Sequence, residues 1–572
     1  MKNKELAAVL DSFADVLEIK GESPFRVNAY RRAARTIDDL AADIERIAEE
    51  DGLQKIQGVG KGLASSIEEF LATGTIRGYE DEKKTIPRKL LELLSVPGLG
   101  PKTIGLLWKE LDVRSLSSLK RALRGKKVLD LPGIGPKKVE NIQSGIRAYE
   151  SRSGRLTLGA VLPIAESLLE RMAGVEGVGR VDVAGSLRRS RETIGDIDIL
   201  VTSRKAKAAI DAFTSAPGVN EVLAAGRTKA SVRIEDAVQV DLRVVPEASY
   251  GAALLYFTGS KDHNVRMRGI AQSRGMKLNE YGLFKNDRRL AGKTEEAIFK
   301  RLGMAYIPPE LREDRGEVEA ALDGELPELV ELGDIRGDLH CHSDYSDGVS
   351  TIEEMAQAAK ASGYSYISMN DHSRSLGIAH GLTVERLERQ MGEIDEVNAR
   401  LRGVTVLKGT EVDILSDGSL DYPDDLLERL DIVVASVHSG FQQSRDKITG
   451  RILSAIRNPH VDIIGHPTGR LLGSRSAYDV DLDAVMEAAA ETGTALELNA
   501  HYERLDLNDQ NCRRAAELGV MIAISTDSHA EDQLWTMGLG VKTARRGWLG
   551  PENVLNTLSK SKLLRYLSNK PS

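Results

Sequence analysis

The sequence predicts a multidomain protein of mixed α/β and α+β type, helical at its front and closing at its back in a parallel (β/α)7 barrel. Three observations predict this. At 572 residues the chain exceeds what one hydrophobic core fills, which implies three or four domains. Three Gly-hydrophobic-Gly segments lie in the first 155 residues, each between helix-like runs. From residue 334 onward, apolar strand-like runs alternate with helical stretches at a spacing of roughly 25 to 35 residues, the period of strand-helix units around a parallel barrel.

Composition narrows the class. Apolar residues at 41% with 29% charged residues describe a globular protein. Cys341 and Cys512 are the only cysteines, which argues against a disulfide framework and leads us to expect a reducing, cytoplasmic location. The amino terminus has no apolar core after its lysines, and no run approaches the ~20 residues that span a bilayer, so neither secretion nor membrane insertion is expected. The net charge of -8 is unevenly spread: residues 1–155 carry +5, residues 156–333 carry -2 and residues 334–572 carry -11. A basic front and an acidic, metal-capable back suit an enzyme of nucleic acids.

The apolar stripe Leu6, Val9, Leu10, Phe13, Val16 and Leu17 predicts a helix over 4–19, and a second is expected over 28–50. Arg31, Arg32 and Arg35 lie within about one helical turn, and read either as a solvated basic face or as a phosphate contact. The segments IQGVGKGLA (56–64), VPGLGPKTI (96–104) and LPGIGPKKV (131–139) repeat one pattern. Their glycines permit a tight turn, the central apolar residue pins it to the core, and amides at the next helix's amino end face outward to a phosphate. The pattern resembles the helix-hairpin-helix motif. That resemblance implies DNA contacts at Gly58, Gly60, Lys61, Gly98, Gly100, Lys102, Gly133, Gly135, Lys137 and Lys138.

The stretch GSLRRSRETIGDIDIL (185–200) combines a Gly-Ser turn, a basic turn and two aspartates spaced by one residue. In a strand, Asp196 and Asp198 share one face while Ile197, Ile199 and Val201 pack on the other. Two such carboxylates repel unless a cation sits between them, and hard oxygen ligands suit Mg2+. Gly185 lets backbone amides approach an anion, and Ser186, Arg188 and Arg189 add phosphate donors. A third carboxylate, Asp241, comes from the strand-like VQVDLRVVP (238–246). Three acids on adjacent strands would hold two metals about 3.5 to 4 Å apart, the arrangement that supports in-line phosphoryl displacement. YFTGSKDHNVRMRGIA (256–271) and KLNEYGLF (277–284) follow.

Gly-Ser followed by Asp-x-Asp, a later single Asp, YFTGS and NEYG together resemble the family X DNA polymerases over about residues 1–310. The resemblance implies a nucleotidyltransferase palm with a thumb. It makes Asp196, Asp198 and Asp241 catalytic metal ligands, places Gly185, Ser186, Arg189 and Gly195 on the triphosphate, and lines the sugar pocket with Tyr256, Phe257 and Gly259. Asn264 would reach the minor-groove edge of the incoming base and Arg268 the template strand. One position departs from the family. Where members that excise an abasic sugar phosphate carry a Schiff-base lysine, this chain has Ser66, which cannot form an imine; Lys61 or Lys55 would have to substitute. Residues 308–333 are acidic and poor in aromatics, and read as a linker with a short helix or two.

In the last segment the strand-like runs end at DLHCHSDYSD (338–347), YISMNDHS (366–373), VLKGTEVD (406–413), VVASVHSG (433–440), IIGHPTG (463–469), LELNAH (496–501) and IAISTDSH (522–529). These ends carry His340, His342, Asp347, His372, Glu411, His438, His466, Asp527 and His529, six of the ten histidines among them. Such nitrogen and carboxylate ligands fit Zn2+, Mn2+ or Fe2+. The set resembles a polymerase and histidinol phosphatase (PHP) domain, which implies a distorted (β/α)7 barrel whose three ions activate water for phosphoester hydrolysis. The expected partition is His340, His342, Glu411 and Asp527 on one ion; Glu411, His438 and His466 on a second; and Asp347, His372 and His529 on the third. Cys341 is expected to face away, and His501 and Arg374 to meet substrate phosphate.

The expected division is 1–80 and 81–150 for the helical hairpin domains, 151–246 palm, 247–310 thumb-like, 311–333 linker and 334–572 PHP. The expected function is gap filling in DNA repair, with the PHP site acting as 3'-5' exonuclease, 3'-phosphatase or abasic-site endonuclease. Mg2+ or Mn2+ would serve the first site, and Zn2+ or Mn2+, as three ions, the second. Gapped or nicked DNA and dNTPs are the expected partners of a monomer that touches no membrane. Two readings compete: a nucleotidyltransferase with a non-DNA acceptor, and a DNA-binding scaffold that delivers the phosphoesterase.

Overall fold

The computed structural model describes residues 2–38, 44–49, 52–56, 58–96, 98–135, 137–139, 141–143, 146, 155–235 and 238–569. The chain divides into two compact units, Met1–Gly154 and Arg155–Ser572. Part of the helix expected over 28–50, and Gln57, Pro97 and Pro136 within the three repeated motifs, lie outside the described residues.

The first unit is helical. Lys2–Lys20 buries Leu6, Leu10, Phe13, Val16 and Leu17, so the apolar stripe is its core face. Pro24–Asp38 packs against it, and Arg31 reaches back to Asp15 and Glu18 at 2.7 Å each. Arg31 is therefore an interhelical clamp, while Arg32 and Arg35 stay exposed. All three repeats form the turn that their spacing dictates. Gly58, Gly98 and Gly133 take φ of +89°, +80° and +75°, a left-handed conformation that side chains resist. Val59, Leu99 and Ile134 between the glycines are buried at 5%, 3% and 3% exposure, which anchors each turn. Gly60 and Gly100 then cap the helices Lys61–Thr73 and Pro101–Leu111 in extended conformation, with Lys61 and Lys102 exposed in the first turn. Lys138 instead donates to Thr103 Oγ1 at 3.0 Å and ties the third hairpin to the second.

The second unit begins with a five-stranded mixed sheet in the order Val178–Val183, Asp196–Ser203, Val238–Val245, Lys229–Ile234, Val219–Ala225. The helices Leu158–Ala173 and Ala206–Thr214 cover one face, over a core that includes Ile197, Ile199, Val201, Val240 and Leu242. Leu505 and Leu539, from the far end of the chain, complete that core. A thumb of three helices, Tyr250–Thr258, Lys261–Ser273 and Glu295–Arg301, and a three-stranded antiparallel sheet follows.

The segment 311–333, expected from its acidity to be a linker, is packed in place. Leu311, Val318, Ala321 and Leu329 are buried in the thumb core. Its charges are used internally: Arg312 is fully buried on Glu295 at 2.6 Å, and Glu317 holds His263 Nδ1 at 2.7 Å.

Seven parallel strands follow in chain order: Gly337–Cys341, Tyr366–Met369, Thr405–Asp413, Ile432–Ser436, Ile463–Ile464, Ala495–Asn499 and Ile522–Ser525. A parallel bridge between Cys341 and Ser528 joins the first to the last, so the sheet curls into a barrel. Residues alternate between an inner cluster, with Leu407, Val434, Ala495 and Ala523, and an outer one, with Val406, Val433, Leu496 and Ile522, that packs under the helices. Leu555 and Leu563 join the inner cluster at the barrel's floor. Continuing each inner row toward the strands' carboxyl ends turns it polar, and the metal-capable side chains stand there.

Candidate metal centres and nucleotide cradle

In the palm, the strand Asp196–Ser203 runs parallel to Val238–Val245 with Asp198 paired to Asp241, so these two side chains project side by side and Asp196 follows on the same face. Asp198 and Asp196 are where the sheet's second face is open; from Leu200 onward that face is closed by Tyr250, Ala253 and Leu254 of the thumb's first helix. Burial pushes the Asp198 carboxyl up to about 6, and the neighbouring charges of Asp196 and Asp241 add to the shift. Burial opposes ionisation of Asp241 as well, but hydrogen bonds from Ser231 and Gln239 and the Lys229 ammonium at 3.1 Å hold its carboxyl below its ordinary value. Three carboxylates that destabilise one another's charge form a set that a divalent cation relieves, and in this sense the residues fit one.

Gly185 lies against this set with φ +61°; a Cβ there would stand 2.5 Å from Asp198 Oδ2, so the cradle and the carboxylate share space only because the residue is glycine. Gly185–Arg188 forms a single helical turn with Ser186 half-buried at its start. The arginines of this turn are engaged. Arg188 forms a fork on Glu295 at 2.9 and 2.7 Å, and Arg189 pairs with Glu313 at 3.0 Å and donates to the Thr258 carbonyl. Gly195 faces Arg155, whose Nη1 a Cβ would meet at 2.9 Å.

The expected sugar-pocket residues come together. Tyr256 and Phe257 meet edge to face at 5.1 Å, Arg243 lies over the Phe257 ring at 4.2 Å, and Gly259 follows them near Arg189. Asn264 donates to the Tyr256 carbonyl at 2.7 Å, and Tyr256, Asn264, Arg268 and Asn279 line one pocket. Asn279 belongs to the NEYG motif and was not singled out from the sequence.

In the barrel all nine expected ligands converge. Three groups each bring their ligand atoms within 4.8 Å of one another: His340, His342 and Asp527; His372, Glu411 and His438; and His342, Asp347, His372 and His529. The grouping differs from the expected partition at four residues, since Glu411 is not in the first group nor His466 in the second. His342 and His372 each face two groups, while His466 touches Glu411 Oε1 at 3.0 Å. Glu411 is the hub, with His372 Nδ1 at 2.8 Å, His438 Nε2 at 3.2 Å and His340 Nε2 at 3.5 Å. His340 and His342 point their Nε2 atoms at each other across 3.2 Å. Two nitrogens bound to one tetrahedral ion at about 2.0–2.1 Å stand about 3.3 Å apart, so the pair is spaced for a shared metal. His342 Nδ1 and Glu411 Oε2 are buried and make no well-formed hydrogen bond among the described residues, a further sign that the donor set fits metal rather than itself.

Two carboxylates that the sequence reading missed orient these ligands. Glu497 accepts from His340 Nδ1 at 2.7 Å, and Asp413 from His438 Nδ1 at 2.5 Å. Each sits two residues along a strand from another inward residue, Glu497 beyond Ala495 and Asp413 beyond Glu411, and that alternation was the available signal. Burial works against charge on His438, yet Glu411 and Asp413 raise its imidazole to about 10; burial instead drives His342 down to about 3, with His529 and His372 adding repulsion. Cys341 faces the outer core, 3.7 Å from Thr526 Oγ1, as expected. Arg374 pairs with Asp421 at 3.1 Å and stays 57% exposed. His501 is half-buried and meets the Tyr502 ring at a 30° tilt, centroids 4.5 Å apart.

Known proteins share these parts. The family descriptions "Helix-hairpin-helix domain", "SAM-like Helix-hairpin-helix tandem", "DNA polymerase beta thumb" and "PHP domain" match residues 1–76, 90–148, 253–313 and 338–501. A "Probable phosphatase" of Thermoanaerobacter sp. (strain X514) is 34% identical over 245 residues, 41% of this chain and 94% of its own length. One from Acetivibrio thermocellus is 30% identical over 242 residues, 41% of this chain and 95% of its own. The DNA polymerase/3'-5' exonuclease PolX of Bacillus subtilis (strain 168) is 41% identical over 571 residues, 99% of each chain. Similar to that protein from end to end, and matching the hairpin, thumb and PHP descriptions in this order, the chain belongs to the bacterial family X DNA polymerases that carry a carboxyl-terminal PHP domain.

Proposed function

We propose that this protein is a DNA-directed DNA polymerase that fills short gaps during repair, and that its PHP domain hydrolyses phosphoesters at DNA ends as a 3'-5' exonuclease, 3'-phosphatase or abasic-site endonuclease. The observation that carries the reading is the presence, in one chain similar end to end to a DNA polymerase/3'-5' exonuclease, of two separate sets of metal-capable side chains, each with its own architecture. In this reading Asp196, Asp198 and Asp241 hold Mg2+ or Mn2+, and the nine barrel ligands hold Zn2+ or Mn2+, three ions in all. Bound ions would lower the pKa of the attacking hydroxyl or water and offset charge on the phosphoryl oxygens.

The chain's own residues supply position. Ser186 and the amides after Gly185 receive the triphosphate, Tyr256, Phe257 and Gly259 bound its sugar, and Asn264 and Arg268 face the base pair. Arg189 contributes to triphosphate binding only after it leaves Glu313, which makes nucleotide binding and a local rearrangement one event. The hairpin amides of the first unit grip backbone phosphates of gapped or nicked DNA whatever the base sequence. No helix among the described residues is long and apolar enough to cross a membrane. We take the protein to act as a monomer in the cytoplasm, divided at the boundaries expected above except that residues 311–329 pack with the thumb.

Separation of function tests the reading. On a gapped duplex whose primer ends in a 3'-phosphate, Asp198→Ala should remove dNTP incorporation while the phosphate is still released. His342→Ala should abolish release yet extend a primer with a free 3'-hydroxyl at the normal rate. Incorporation retained by the first variant, or release retained by the second, would refute the assignment of that site.

A further inference from the structure

We propose that Arg504 is a catalytic residue of the barrel site, contacting a non-bridging phosphoryl oxygen of the ester that is hydrolysed; the proposal rests on the phosphoesterase reading and names a contact which that reading leaves open. Arg504 lies in the loop after the strand Ala495–Asn499, and both neighbouring directions of that loop are fixed. Leu505 is fully buried and inserts into the palm core. Arg470 donates its Nε to the Arg504 carbonyl at 3.1 Å, donates also to the Leu505 carbonyl, and pairs with Glu192 at 2.8 Å. Asn499 and Asp506 close the loop's base through two backbone hydrogen bonds of 2.6 and 3.2 Å. With Leu505 committed to the palm, the Arg504 side chain turns the other way, into the ligand ring.

There its Nε stands 3.5 Å from Asp527 Oδ2, and the side chain is only 18% exposed. Asp527 Oδ2 also accepts from Asn499 at 3.0 Å, while Oδ1 is the oxygen that faces His342 Nε2 at 3.0 Å. Arg504 therefore borders the ligand set on the side of the carboxylate that faces away from the histidines. Its Nη1 is buried and has no hydrogen-bond partner among the described residues. A buried guanidinium donor without a partner is costly, and an oxyanion brought by a ligand is the acceptor that satisfies it.

Nearby arginines are otherwise occupied. Arg374 is on Asp421, Arg475 donates to the Gly469 carbonyl and covers the Phe441 ring, and Arg451 is spread over the carbonyls of Leu415 and Ser439 and the side chain of Gln443. In the hydrolysis, water oxygen bonds to phosphorus, the bond to the departing 3'-oxygen breaks, and that oxygen takes up a proton. Arg504 keeps its own protons throughout and lends charge to the phosphoryl oxygens as the bonds exchange.

The test compares full-length wild type, Arg504→Met and Arg504→Lys, each metal-loaded. Three quantities are measured: inorganic phosphate affinity by calorimetry, bound metal by mass spectrometry, and kcat and KM for 3'-phosphate release from an oligonucleotide. Incorporation on a gapped duplex with a free 3'-hydroxyl reports folding. Arg504→Met should bind phosphate about tenfold more weakly, and lose about 10²-fold in kcat. Metal content and incorporation should be unchanged, with Arg504→Lys falling between. Wild-type phosphate affinity in Arg504→Met would overturn the contact. So would loss of metal in both variants, since Arg504 would then only steady Asp527. If wild type itself neither binds phosphate nor releases it, the phosphoesterase reading fails, and Arg504 fails with it.

Discussion

In the palm, three carboxylates stand on two adjacent strands at the open part of a sheet, and Asp196 is exposed. In the barrel, nine candidate ligands come from six of the seven strand ends, and the remaining strand, Ala495–Asn499, supplies Glu497 behind His340. The two sites handle the same bond with opposite economies of structure. On the proposed reading, phosphodiester formation brings its own ligands, because a triphosphate would offer oxygens to any cation the aspartates held, so the protein supplies few groups and leaves the face open. Hydrolysis of a plain phosphoester brings fewer, so the barrel must supply nearly the whole coordination shell and orient it with a second ring of carboxylates. The palm should therefore exchange its ions with solution, and the barrel should keep them.

Metal withdrawal gives the largest expected effect. Transfer into chelator-free, metal-free buffer should abolish incorporation at once, with recovery on adding Mg2+, while 3'-phosphate release persists until a strong chelator strips the barrel over a longer time. Loss of the two activities in step would break the comparison. Stripping should also lower the melting temperature, since ligation at 100 times Kd stabilises the native state by about 2.7 kcal/mol. A smaller effect is expected from Gly185→Ala. The new methyl would meet Asp198 Oδ2, at a position whose φ of +61° also resists a side chain. Displacing a catalytic group by about 1 Å costs about 10²-fold, so incorporation should fall by that order with phosphate release unaffected. Steady-state incorporation and release assays on the same preparation check both statements.

The barrel was the more legible of the two regions. Its strand-end ligands follow a simple period, and each run of alternating apolar residues fixes which side chains face inward. The three hairpins were legible for a related reason, since each Gly-hydrophobic-Gly unit is locally complete. What stayed hidden depends on partners far along the chain. Glu497 and Asp413 lie in apolar strands where one acid reads as an ordinary polar residue until His340 and His438 are placed against them. Arg189 looked like a free phosphate donor, but Glu313 is 124 residues away in a segment whose acidity suggested a linker. That segment shows why composition misled: Arg312, Glu313 and Glu317 are charged because they are the buried partners of Glu295, Arg189 and His263.

The second ring of the barrel predicts an intermediate effect. Glu497→Gln and Asp413→Asn keep shape but remove the charge that holds His340 and His438 in orientation. Such changes cost about 10- to 100-fold in metal affinity or activity. Titration of the stripped variants with Zn2+ or Mn2+ should show that weakening, with incorporation unaltered; wild-type metal affinity in both would mean that the outer carboxylates merely fill space.

Among the described residues no outer ring of carboxylates surrounds the palm aspartates, but an ion cluster stands at the palm's junction with the thumb, and acid should expose it. Glu295 is buried between Arg188 and Arg312. Burial opposes its charge, yet the two guanidinium groups outweigh that and hold its carboxyl down to about 2, against an ordinary 4.5. A carboxyl depressed in the folded state contributes stability that is fully present above 4.5 and is lost as pH falls from 4.5 toward 2. The shift corresponds to on the order of 3 kcal/mol. Glu295→Gln should flatten the stability of the palm and thumb over that window, read as the denaturant midpoint between pH 5 and pH 3 with a probe at the native Tyr256–Phe257 pair. It should leave 3'-phosphate release at neutral pH unchanged, because Glu295 belongs to the thumb and pairs with Arg188 and Arg312 rather than with a barrel residue. An unaltered acid dependence would show that the cluster forms equally well with a neutral amide, and that charge pairing is not what joins thumb to palm.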